Sequence, residues 1–103
     1  MDDLEITRRC AEAMGYEIDG TVTFYNEAVW VKSFNGTEGM YNPLHNDAQA
    51  MALVKKFHID IEHTVGGGAT ARIFKVTGKC KSEKYSYDLN RAICECVAKM
   101  LVK

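Results

Sequence analysis

The second half of the chain, Asn46 to Lys103, places a helical pattern, three strand patterns and a second helical pattern in a row without a long linker. Asn46 precedes apolar residues at helical spacing and Gln49 follows three residues later, which predicts an N-cap with a capping box. Asp88 precedes the second apolar helical stripe in the same way. Strands joined by such short turns pair antiparallel. This half therefore predicts an antiparallel sheet packed by helices.

The three strands are expected over residues 58–64, 70–77 and 82–87, where apolar residues alternate with polar ones or β-branched and aromatic residues dominate. Residues 65–69 carry three consecutive glycines and are predicted to form a flexible turn. Gly78 marks the next turn.

The first half predicts one helix over residues 3–14, which Gly15 ends, and two strands over 21–25 and 28–32. Residues 26–27 would join these strands tightly, and residues 35–39 would form a loop. Pro43, the single proline, excludes a helix interior before Asn46. The whole chain is then one α+β domain, residues 1–103, in the order α-β-β-α-β-β-β-α.

Composition excludes several classes of protein. Of the 103 residues, 47% are hydrophobic, which suffices for a core, and no apolar run approaches the roughly 20 residues of a membrane span. The acidic start is the opposite of a secretory leader, so we expect a cytoplasmic protein. The four cysteines lack C-x-x-C spacing, which favours reduced thiols over a metal site. No cofactor is expected.

Charge is divided unevenly between the two halves. Residues 1–47 carry nine acids and three bases, whereas residues 48–103 carry ten bases and five acids. A basic face can attract phosphates, meet the acidic half of a second copy, or simply be solvated. All three interpretations stay open for the tightest basic cluster, which comprises Arg72, Lys75, Lys79, Lys81 and Lys84.

The glycine-rich turn is the first candidate ligand site. Gly66, Gly67 and Gly68 allow a close backbone approach to a ligand, and Thr70 and Arg72 follow with a hydroxyl and a bidentate phosphate partner. The alternative is an ordinary flexible hairpin turn.

Aromatic residues are the second candidate. Trp30, Tyr41, Tyr85 and Tyr87 offer rings for stacking on bases, and the alternative for each of them is core packing. Trp30 and Tyr41 both precede the Asn46 cap, and if exposed together they would form an apolar patch that favours a homodimer.

His58, Asp60 and Glu62 would share one strand face, which is compatible with metal binding, acid–base chemistry or a solvated surface. The chain has neither a Gly-x-Ser-x-Gly elbow nor a phosphate-binding Walker loop. We therefore expect a protein that is not an enzyme, with a weak nuclease or phosphodiesterase activity of these three residues as an alternative.

Three segments resemble one protein family. The entry Asn42-Pro43 to Ala52, the step Ala13-Met14-Gly15-Tyr16 and the helix start Asp88 to Cys94 are similar to those of the bacteriophage α/β/α sandwich family. The family's usual proline at the start of the last helix is missing here. The resemblance implies a phage origin and a fold, and no agreed activity.

The second half also resembles the double-stranded RNA-binding domain in its α-β-β-β-α order. Those domains place basic residues at the start of their last helix. Here that start, Asp88 to Arg91, holds one acid and one base. Double-stranded RNA binding is therefore kept as an alternative.

The phage resemblance, the absence of catalytic motifs and the Gly66–Arg72 turn beside the basic cluster together lead us to expect an accessory protein that counters a host defence. We expect it to sequester a nucleotide-type immune signal, such as a cyclic nucleotide or a cyclic ADP-ribose, at Gly66–Arg72. The alternative partner is a host defence protein, bound in anti-CRISPR fashion by an acidic first half that mimics nucleic acid.

Overall fold

A computed structural model describes residues 2–23, 28–32 and 36–101. This part of the chain confirms the α+β class and the predicted order, with one strand added between the second strand and the second helix. The elements are α1 (Asp3–Ala13), β1 (Glu17–Thr23), β2 (Val29–Lys32), β3 (Glu38–Tyr41), α2 (Asp47–Phe57), β4 (Asp60–His63), β5 (Ala69–Phe74), β6 (Cys80–Ser86) and α3 (Leu89–Met100).

Each helix begins at a side-chain cap. Asp2 Oδ1 accepts from the amide of Glu5 at 2.8 Å, Asn46 caps α2 and Asp88 caps α3. After α1, Gly15 takes the left-handed conformation at φ +81°, as its position in the sequence predicts. α2 ends at His58, which is also left-handed at φ 51°.

The strands form two separate antiparallel sheets of three strands each in the described residues. The first sheet has the order β1-β2-β3, and the second has the order β4-β5-β6. In the first sheet Trp30 lies opposite Met40 and Val31 lies opposite Gly39. Because side chains alternate between faces, this register decides which residues of β3 face the core.

The helices fill the space between the two sheets. α1 contacts β1, β2 and α3, while α3 contacts β5, β6 and α2. The layer order is therefore sheet, helix, sheet, which differs from the α/β/α order that the resembled family's name describes. One continuous core results, and its fully enclosed large side chains include Ile6, Val29, Leu53, Ile93 and Val97.

Several element bounds differ from the sequence prediction. β1 begins at Glu17, four residues early, and residues 24–27 and 33–35 lie outside the described residues, including the predicted 26–27 connection. The predicted loop over 35–39 overlaps β3. This strand contains Gly39, has only four residues and ends just before Pro43, so its local preference is weak and pairing with β2 supplies the stability.

His58 does not belong to a strand. It ends α2, and β4 starts at Asp60, so His58 does not share a strand face with Asp60 and Glu62 as we expected. In the described residues no helix is long and apolar enough to cross a membrane.

Candidate functional site

A cleft opens between β3 and α2, and it is named here the β3–α2 cleft. Its volume is about 510 Å³, within the ~300–1,000 Å³ range of ligand pockets. The first sheet contributes its inner face and α2 contributes its first two turns. The apolar residues that line it include Tyr16, Val31, Tyr41, Ala48 and Ala52.

Gly39 creates much of this space. It lies opposite Val31 in the sheet and therefore on the inner face, where every other residue would place a side chain. A Cβ added at Gly39 would meet no atom within 4 Å, and its φ is not positive. The cleft thus exists because this inner-face position lacks a side chain, while the backbone itself requires no glycine.

Gln49 fixes the edge of β3 against α2. Its Oε1 accepts from the amide of Asn42 at 2.6 Å, and its Nε2 donates to the carbonyl oxygen of Met40 at 3.0 Å. Its own amide donates to Asn46 Oδ1 at 3.0 Å. Half of the predicted capping box is therefore correct, because Asn46 caps the helix, but the Gln49 side chain holds the strand instead of returning to Asn46.

Tyr41 forms the inner wall of the cleft. It is 3% exposed and packs edge-on against Tyr16, with the ring centroids 5.4 Å apart. Its hydroxyl has no hydrogen-bond partner among the described residues. Burial, with smaller effects of nearby Cys10 and Cys94, raises the pKa of Tyr41, so the phenol stays neutral at physiological pH.

One acidic residue lines the cleft. Glu38 is exposed at this position. Across the first sheet, Lys32 lies between Glu38 and Glu17. Glu38 favours a neutral or cationic group over a phosphate at this end of the cleft.

The structure brings the predicted residues Gly66, Gly67 and Gly68 together with Tyr85 and Tyr87. The hydroxyls of Tyr85 and Tyr87 donate to the carbonyl oxygens of Gly67 and Gly66, both at 3.2 Å. A Cβ at Gly68 would lie 2.7 Å from the Ser86 carbonyl oxygen, and Gly68 has φ +81°. The glycines therefore serve a tight turn fastened by two tyrosines, rather than the freely mobile turn that we expected.

Thr70 and Arg72 lie on β5, on the sheet face directed away from α3. Thr70 is 9% exposed and lies opposite Glu62 and Tyr85. Arg72 forms ion pairs with Glu62 at 3.0 Å and Glu83 at 3.3 Å. The hydrogen bond to Glu62 raises the pKa of Arg72 further above its usual range. Two carboxylates therefore already occupy the guanidinium that we assigned to a phosphate.

Trp30 and Tyr41 belong to the other sheet and face opposite sides of it. Tyr41 lies opposite Val29 on the inner face, whereas Trp30 lies opposite the exposed Met40 on the outer face. The expectation that Trp30 and Tyr41 share one exposed patch is wrong, because consecutive pairs in the register alternate between faces. The homodimer stays a prediction, and this patch no longer supports it.

The four cysteines lie in two groups. Cys10 donates to the carbonyl oxygen of Cys94 at 3.4 Å, and interaction with the Cys10 side chain, together with burial, raises the pKa of Cys94. Cys80 and Cys96 both donate to the carbonyl oxygen of Ser82, at 3.4 and 3.5 Å. Among the described residues, no group of three or more His, Cys, Asp and Glu could hold a metal ion.

The starts of α2 and α3 meet at an acidic point. Asn90 Nδ2 donates to Asp47 Oδ1 at 2.8 Å, and Asp88 caps α3 beside it. Arg91 is held by Asp3 and Glu95. Double-stranded RNA-binding domains place basic residues at this position, where Asp47 and Asp88 lie in this chain, so the shared topology alone does not argue for RNA binding.

No known family model, curated protein or solved structure matches this chain. The sequence does not predict the β3–α2 cleft, because residues 35–39 have the composition of a loop and overlap β3. The available signal was Gly39 between Glu38 and Met40, which is a glycine within a short strand. Such a glycine often marks a position that another chain or a ligand approaches closely.

Proposed function

We propose that this chain is a non-catalytic binding domain that captures a partner protein at the β3–α2 cleft. The observation that carries the proposal is the open inner face at Gly39, where an apolar cavity of about 510 Å³ lies beside a sheet edge. Concave, mostly apolar sites with a few fixed polar groups are where proteins bind ligands.

Charge supports a basic partner. Glu38 is the acidic residue among those that line the cleft, and the strands of its sheet wall belong to residues 1–47, which carry nine acids against three bases. Complementary charge speeds encounter and suppresses wrong partners. The partner surface that fits is an apolar side chain flanked by lysine or arginine.

The resemblance to phage proteins supplies a biological setting for this binding. In that setting the partner is a bacterial defence protein, and occupation of the cleft inhibits it. This is the inhibitor hypothesis from the sequence, with the acidic half kept and the contact moved to a defined cleft.

The test compares wild-type protein with a Gly39→Leu variant, whose added side chain fills the cleft. A matched Thr77→Leu variant adds the same side chain at an exposed turn of the second sheet. Wild type and Thr77→Leu should retain the same protein from a bacterial lysate, and Gly39→Leu should lose it. The retained protein must then bind purified wild type directly. Equal retention by all three proteins would refute the cleft as the binding site.

A second candidate function is sequestration of a nucleotide-type signal. The observation that favours it is the exposed hairpin tip between β5 and β6, where Lys75, Lys79 and Lys81 cluster. Calorimetry with cyclic di- and trinucleotides and cyclic ADP-ribose isomers tests it. Heat that a Lys79→Gln, Lys81→Gln double variant abolishes would support this function, and absence of heat across the panel would refute it.

A further inference from the structure

The outer edge of β3 has backbone groups that face away from the sheet. β3 is the last strand of the first sheet in the part of the chain that the structure describes. The Met40 carbonyl bonds to Gln49, outside the sheet, and the Asn42 amide does the same. In a strand the amide and the carbonyl of one residue point to the same side. The backbone groups of the residue two positions away point to that side as well. The Met40 amide and the Glu38 backbone groups therefore also face outward.

Gln49 imitates one residue of a neighbouring strand. A neighbouring strand would accept from the outward amides of β3 and donate to its outward carbonyls. The Gln49 side-chain amide does this for Asn42 and Met40, two residues apart, as one residue of a parallel strand would. Gln49 supplies a single amide group and therefore replaces one residue of such a strand and no more. Towards Glu38, the same edge runs along the mouth of the β3–α2 cleft.

We propose that an extended segment of the partner adds to β3 as a fourth strand of the first sheet and places one apolar side chain in the cleft at Gly39. This inference rests on the proposed function and specifies how the partner binds. Strand addition obtains affinity from main-chain hydrogen bonds and specificity from pockets for alternate side chains. The edge of β3 at Met40 supplies the main-chain hydrogen bonds, and the cavity at Gly39 supplies the side-chain pocket.

The occupant is a basic extended peptide, which charge complementarity selects. Its alternate side chains would point into the cleft and towards the outer face, where Trp30 and the 56% exposed Met40 lie. Glu38 is exposed on the edge strand and, two residues from Met40, shares its outer face, with Lys32 opposite on β2. Lysine or arginine at the adjoining position of the added strand would oppose Glu38 directly.

The experiment selects peptides from a display library of short random sequences against wild-type protein. Binding of each selected peptide is then measured by calorimetry to wild type, Gly39→Leu and Thr77→Leu. We expect Gly39→Leu to weaken binding about tenfold or more, because the apolar side chain loses its cavity, and Thr77→Leu to leave it unchanged. If Gly39→Leu does not fold, Ala52→Leu fills the same cleft from the α2 wall.

Backbone N-methylation then separates strand addition from other modes of binding. A methyl group on every second amide should abolish binding, and a methyl group on the intervening amides should not, because only alternate amides face β3. Some peptides could lose binding to Gly39→Leu and yet respond equally to N-methylation at either set of alternate amides. That result would overturn strand addition and leave the proposed function standing. Absence of any peptide that depends on Gly39 would overturn both. A concentration-dependent dimer that Gly39→Leu abolishes would assign the edge to a second copy and overturn the peptide.

Discussion

The Gln49 side chain donates from Nε2 to the carbonyl oxygen of Met40 at 3.0 Å and so joins the first turn of α2 to the edge of β3. A second bond from the Asn42 amide to Gln49 Oε1 completes the pair. This link sets the distance between the strand and the helix, and the β3–α2 cleft is the space that remains between them.

Replacing Gln49 should loosen this edge. Gln49→Ala removes two side-chain hydrogen bonds to backbone, and we expect a loss of about 1–3 kcal/mol in the free energy of unfolding. Urea denaturation measures it. The Asn46 cap should survive, because Asn46 Oδ1 accepts from the Gln49 backbone amide. A free energy of unfolding within error of wild type would show that Gln49 does not hold β3.

The glycine turn gives a matched pair of substitutions. Gly68→Ala should destabilise the fold by about 1–3 kcal/mol, because φ is +81° and the new Cβ would lie 2.7 Å from the Ser86 carbonyl oxygen. Gly66→Ala should be close to neutral, since its Cβ would meet nothing within 4 Å. Thermal unfolding of both variants checks this difference. Equal melting temperatures would contradict the fastened turn.

Stability should fall in alkali. Interaction with the Cys10 side chain, together with burial, raises the pKa of Cys94 above 9.0, and burial raises that of Tyr41 above 10.0. The folded state therefore holds these protons more tightly than the unfolded chain does. The contribution of Cys94 is complete below about pH 9 and that of Tyr41 below about pH 10. Above these values each is lost by about 1.4 kcal/mol per pH unit.

Tyr41→Phe isolates the contribution of the Tyr41 hydroxyl to the loss of stability in alkali. The variant should change stability at neutral pH by less than about 1 kcal/mol, because the hydroxyl it removes is buried without a partner among the described residues. Above about pH 10 its stability should fall less steeply than that of wild type. Parallel alkaline curves for the two proteins would contradict the buried position of the phenol.

The thiols should differ in reactivity. Cys80 is exposed, whereas Cys10, Cys94 and Cys96 are buried, and burial raises the pKa of Cys96. Because the thiolate is the reactive form, one thiol should react rapidly with a disulfide reagent in native protein and all four in denaturant. Cys80→Ser should remove the rapid phase. A rapid phase that persists in this variant would contradict the assignment.

The sequence predicts the helix caps and the end of α1 correctly because these features depend on local residues. Asp88, Asn46 and Gly15 act within one turn of their helices, so their roles follow from position alone. β3 was missed because its four residues owe their strand conformation to pairing with β2 rather than to their own preference.

The candidate site was harder to predict for the same reason. Its parts come from β3 and α2, and only the strand register places Gly39 on the inner face. Arg72 shows the opposite error. It was assigned to a ligand because the sequence does not show that Glu62 and Glu83 lie beside it across two strand pairs.

Amide hydrogen exchange at Met40 tests strand addition at the β3–α2 cleft most directly. The backbone amide of Met40 points away from the sheet at its edge. It should therefore exchange faster than the amide of Val31 in the middle strand. Adding a selected peptide should slow exchange at Met40 by about tenfold or more in wild type and leave it unchanged in Gly39→Leu. Unchanged exchange at Met40 in wild type saturated with that peptide would contradict strand addition at this edge.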